Sequence, residues 1–102
     1  MNWFTAAFPE TVDKAVDKLI ENMSFKDKTW IANMDPKKLV AFYTSYGVFL
    51  KHELRLWGND PLINACKTIA GLETIDADQA AFVILKELQK KLQGSDVLKV
   101  LK

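Results

Sequence analysis

The sequence predicts an all-α fold: a single-domain bundle of about five helices with short capped turns. Apolar residues recur at spacings of three and four, and N-capping side chains stand directly before each such run. No alternating strand pattern or Asn-Gly hairpin signal competes.

Each element can be justified in order. Thr11 caps VDKAVDKLIENM, where Val12, Ala15, Val16, Leu19, Ile20 and Met23 form one apolar stripe and Asp13, Lys14, Asp17, Lys18 and Glu21 fill the other side. Ser24 with Asp27 resembles a capping box and opens FKDKTWIAN, with Phe25, Trp30 and Ile31 as apolar anchors. Asp35-Pro36 is a stronger start, because proline at the first helical position gives up an N–H that has no intrahelical partner. In the long segment that follows, Leu39, Phe42, Tyr43, Tyr46, Phe49, Leu50, Leu54 and Trp57 keep the helical period, and only the ends carry charge. A helix apolar over most of its circumference is expected at the buried centre of a bundle. Asp60-Pro61 starts LINACKTIA, which Gly71 can end in the left-handed conformation. Asp76 caps ADQAAFVILKELQKKLQ, with Ala80, Ala81, Ile84, Leu85, Leu88 and Leu92 inward and Gly94 as its stop. The expected organisation is an apolar N-terminal segment (1–8), the bundle domain (9–94) and a short tail or last turn (95–102).

The 102 residues suffice for one domain, with 49% hydrophobic and 26% charged residues in the ordinary globular range. Fourteen basic residues nearly balance thirteen acidic ones, and all but Arg55 of the basic set are lysines. This argues against a nucleic-acid reader, which leans on arginine and a basic face; lysines 26, 28, 37 and 38 support only a weaker third reading of that kind. The single Cys66 excludes an internal disulfide and fits a reducing compartment. The longest uncharged run, Leu39 to Leu50, has twelve residues against about twenty for a membrane span. MNWFTAAF lacks a basic leader and a long apolar run, so a cytoplasmic location without membrane is expected.

The chemistry-bearing letters gather in YGVFLKHELRLWGNDPL. His52-Glu53 invites a zinc-protease reading, but that motif needs a second histidine four residues on; position 56 is Leu and the chain has one histidine. Acid–base work by His52 would need a partner from another helix, because adjacent helical residues do not face each other. Asp13, Asp17 and Glu21 read as a solvated face in which Lys14 and Lys18 supply opposite charge, rather than as a cation site. Cys66 reads as a small buried hydrophobe, and the four glycines never cluster into a phosphate loop. No cofactor and no metal are expected. The aromatics at helical spacing (Phe42, Tyr43, Tyr46, Phe49, Phe82) read as core, whereas Trp3, Phe4 and Phe8 fold back onto the bundle or form a partner patch.

GVFLKHELRLWGNDPLI resembles the signature of a small bacterial family of domains of unknown function: glycine, aromatic, Ile-Arg-Asn, Phe-Gly-Leu-Trp, then Gly-Asn. TVDKAVDKLIENMS resembles the family's opening helix, and IDADQAAFVILKELQKKL its closing helix, so the likeness covers about residues 9 to 93. It implies a helical fold and a bacterial origin, with no activity attached. The chain departs from the signature in having Lys51 and His52 for Arg-Asn and Arg55 for glycine, which favours a helix running on to Trp57.

The favoured reading is therefore a non-catalytic domain that binds another protein or itself. The rival is a small-ligand or enzymatic domain with an inter-helix pocket lined by Tyr43, Tyr46, His52, Glu53, Arg55 and Trp57, in which Arg55 clamps a carboxylate or phosphate.

Overall fold

A computed structural model describes residues 8–94, and within them every regular element is helical. Five α-helices run in order: α1 Val12–Glu21, α2 Phe25–Ala32, α3 Pro36–Glu53, α4 Asp60–Ala70 and α5 Ala77–Gln93. A 3-10 turn, Leu56–Gly58, links α3 to α4.

Local chemistry starts each helix. Thr11, Ser24 and Asp35 each accept a hydrogen bond from the backbone N–H three residues on, and Pro36 follows Asp35. At α5 the cap is reciprocal: Asp76 Oδ1 accepts from Gln79 N at 2.8 Å, and Gln79 Oε1 accepts from Asp76 N at 3.0 Å. The cap of α4 is Asn59, not Asp60; its side chain accepts from Leu62 N at 3.3 Å, and Asp60 falls in the first turn. Gly71 closes α4 with φ +69°.

The expectation that α3 is the buried centre is overturned, because α1, α2, α3 and α4 all pack on α5. The inward face of α5 is as expected: Ala80, Ala81, Ile84, Leu85, Leu88 and Leu92 are all buried. Its alanines allow close approach, and its glutamines hold α2. Gln89 Nε2 donates to Ile31 O and Met34 O at 3.0 and 2.8 Å, and Gln93 Nε2 donates to Ala32 O at 3.0 Å. These bonds tie the end of α2, and Met34 two residues beyond it, to α5.

Helix α3 buries only Leu39, Gly47 and Leu50 and turns Val40, Ala41, Val48 and Phe49 to solvent. Freedom from charge marked α3 as apolar all round, but one packed side is all the bundle covers. In α2 only Ile31 of the three expected anchors is buried; Phe25 and Trp30 are 51% and 58% exposed.

Helix α3 also ends earlier than the expected Trp57. Leu54 is its C-cap, and Arg55 takes the left-handed conformation, φ 55° and ψ 45°. That step turns the chain, so Leu56 is buried whereas Trp57 is 62% exposed. Among the described residues Asn59 is the one polar residue in the buried set; its Nδ2 donates to Pro9 O at 2.8 Å and to Leu54 O at 3.3 Å, tying the segment before α1 to this corner.

Candidate functional site

The six residues expected to share one pocket are divided among three places. Tyr43 lies across α3 toward α5: its hydroxyl donates to Asp78 O, and its ring meets Phe82 edge-on at 5.1 Å. Burial, with Asp78 beside it, raises the phenol's pKa. Gly47 makes room for that ring, since a Cβ there would stand 2.7 Å from Tyr43 Cε1. Tyr43 borders an open groove of about 870 Å³ whose walls include Val40, Ile69, Leu72 and Phe82. Asp78 also pairs with Lys51, whose pKa that hydrogen bond raises.

His52, Arg55 and Trp57 occupy the corner after α3, and all three are exposed. The His52 ring meets Trp57 edge-on at 5.2 Å, and Lys51 Nζ stands 5.7 Å from the Trp57 ring centre. Arg55 lies over the Phe8 ring at 5.1 Å, and Phe8, Arg55, Trp57 and Gly58 line a cavity of about 280 Å³. Phe8 is therefore half-buried under Arg55, with Lys18 also 5.8 Å from its ring; Trp3 and Phe4 lie outside the described residues.

Tyr46 belongs to a third group. Trp30 meets Phe42 edge-on at 5.1 Å, Phe42 stacks on Tyr46 at 4.7 Å, and Tyr46 stacks on Phe49 at 5.2 Å. Four rings thus form a ladder from α2 along α3, with Trp30 and Phe49 (46% exposed) turned outward at its ends. Burial, with Asp27 and Glu53 nearby, pushes the Tyr46 phenol up to about 12. Glu53 is half-buried at the ladder's far end.

The acidic row on α1 is exposed, and Lys91 of α5 bridges Asp13 and Asp17 within it, with Nζ 3.2 Å from Asp13 Oδ1. These carboxylates raise the Lys91 pKa. Among the described residues no three His, Cys, Asp or Glu side chains gather as a metal set. Cys66 is buried, its Sγ 3.6 Å from Ala80 O, and burial pushes the thiol up to about 11. No helix among them is long and apolar enough to cross a membrane.

Sequence reasoning named Trp30 and Phe49 only as packing residues and passed over Val40 and Val48. The available signal was the twelve-residue charge-free run, which is more apolar surface than one packed side of a helix uses. A family model described as a domain of unknown function (DUF6794) matches residues 8–92. No curated protein and no solved structure matches the chain.

Proposed function

The chain belongs to this family of domains of unknown function, and on that premise we propose that it is a non-catalytic domain that binds another protein or itself through the exposed face of α3. The observation that carries the reading is the ladder Trp30–Phe42–Tyr46–Phe49, whose end rings Trp30 and Phe49 are exposed together with Val48, while Phe42 and Tyr46 are half-buried between them. Exposed large aromatics beside apolar neighbours are a recurrent mark of interfaces, where they contribute area at low conformational cost. We place the domain at residues 9–94, in a bacterial cytoplasm. The single buried thiol and the signature at residues 47–59 support that placement.

The test is capture from the native cell extract with wild-type chain and Phe49→Glu as baits, helicity being checked by circular dichroism. The reading expects a partner retained by the wild type and lost by the variant. Equal capture by both baits would refute it.

The rival reading, a small-ligand or enzymatic domain using Tyr43, Tyr46, His52, Glu53, Arg55 and Trp57, is favoured by the cavity that Arg55 and Trp57 line. At about 280 Å³ that cavity sits at the lower edge of the roughly 300–1,000 Å³ typical of ligand sites. It draws on two of the six residues, and the ladder therefore carries the proposal.

A further inference from the structure

We infer that the occupant of the α3 face is a second copy of this chain, pairing α3 with α3 antiparallel about a two-fold axis. The inference rests on the interaction reading above and names its partner.

Lys38, Phe42, Tyr46, Phe49 and Glu53 follow one another at spacings of four, four, three and four, so they form a single stripe along α3. The ring contacts along the stripe show that its middle is continuous and aromatic. Its ends carry opposite charge, and among the described residues neither the Lys38 ammonium nor the Glu53 carboxylate has an ion-pair partner.

The stripe is also self-complementary. Lys38 and Glu53 are equidistant in sequence from the midpoint between Ser45 and Tyr46, and so are Phe42 and Phe49. A two-fold axis through that midpoint sets Lys38 of each copy against Glu53 of the other, and Phe42 against Phe49, as an isologous interface requires. Parallel pairing would oppose like charges at both ends and is disfavoured. On the solvent side of the stripe, Ala41, Ser45 and Val48 are exposed and modest in size, so a second helix can approach. Trp30, packed against Phe42, widens the apolar patch where the second copy's Phe49 arrives.

Size sets the strength. Eighteen residues make α3 about 27 Å long, and a strip about 10 Å wide covers roughly 270 Å² of footprint, well under the ~800 Å² per partner of a standard interface. The dimer should therefore be weak and readily reversible.

The experiment is sedimentation velocity of the whole chain from about 5 to 500 µM, with Lys38→Glu at an exposed position, Glu53→Lys at a half-buried one, and the double exchange, each checked for helicity and unfolding midpoint. The wild type should pass from monomer to dimer. Each single reversal places like charges together at both symmetric contacts and should weaken association by about tenfold or more; the double exchange should restore it to within about threefold. A wild type that stays monomeric, single reversals without effect, or a double exchange as weak as the singles would overturn the assignment. The capture experiment separates the two levels. If the chain is monomeric and Phe49→Glu still abolishes capture of a different protein, the second-copy assignment fails and the interaction reading stands. If Phe49→Glu changes neither association nor capture, both fail.

Discussion

Replacing Arg55 tests the corner between α3 and α4, because this residue holds a left-handed backbone, φ 55°, without being glycine. The left-handed region costs a residue with a Cβ about 1–2 kcal/mol, whereas glycine enters it without steric penalty. Arg55 offsets part of that cost through its guanidinium over Phe8 at 5.1 Å, a contact worth about 0.5–1 kcal/mol at an exposed site. Arg55→Ala keeps the backbone cost and loses the contact, so it should destabilise by about 0.5–1 kcal/mol. Arg55→Gly loses the same contact and removes the steric cost, against about 0.4–1 kcal/mol of added freedom in the unfolded chain. Its net effect should lie near zero. The difference between the two variants, about 0.5–1 kcal/mol in favour of glycine, isolates the backbone from the side chain. Urea unfolding followed by tryptophan fluorescence, with unchanged slope, reads it as a higher midpoint for the glycine variant. An alanine variant as stable as the glycine variant would refute the strained corner.

Three further outcomes are expected. Trp57→Ala should cost less than about 1 kcal/mol, since the indole is 62% exposed, whereas Leu56→Ala beside it should cost about 2–5 kcal/mol; denaturant midpoints order the two. Gly47→Ala should destabilise by about 1–3 kcal/mol despite a gain in helix propensity, because the new methyl meets Tyr43 at 2.7 Å; made in a Tyr43→Ala chain, which has its own loss of packing, the same substitution should add little further cost. Burial holds the Cys66 thiol at about 11 against an ordinary 9.0, so the unfolded chain releases this proton first as pH rises. The linked stability is therefore full below about pH 9 and lost progressively toward pH 11, by up to about 2–3 kcal/mol. Urea midpoints measured from pH 7 to 10.5 should fall more steeply for the wild type than for Cys66→Ala.

The ease of reading each helix followed the placement of its charges. In α1, Asp13, Lys14 and Asp17 mark the wet side, so Val12, Ala15, Val16 and Leu19 could be placed inward, and the structure buries all four. In α5, Lys86, Lys90 and Lys91 do the same for the buried leucines. Helix α3 carries no charge from Leu39 to Leu50, so nothing in its pattern says which side faces inward, and apolarity was read as burial. The left-handed step at Arg55 was illegible for a different reason: arginine gives no sign of a positive φ, and the apolar period continued as far as Trp57. The pocket residues were near one another in sequence, but the helix directs Tyr43 toward α5 and Tyr46 between Phe42 and Phe49, while the turn after Leu54 carries Arg55 and Trp57 elsewhere. Asn59 could not be told from Asp60 as a cap, because either side chain can accept from the first turn.

The position of α5 at the hub has a consequence for the order of events at the ribosome. The helix against which α1, α2, α3 and α4 all pack is the last of the five to be synthesised. Until residues 77–93 have emerged, the earlier helices share little surface apart from a limited contact between α1 and α4 and the Trp30–Phe42 ring contact between α2 and α3, and isolated helices of 8 to 18 residues are marginal in water. A nascent chain arrested before Ala77 should remain protease-sensitive throughout, and protection should arise in one step once Leu92 is clear of the exit tunnel.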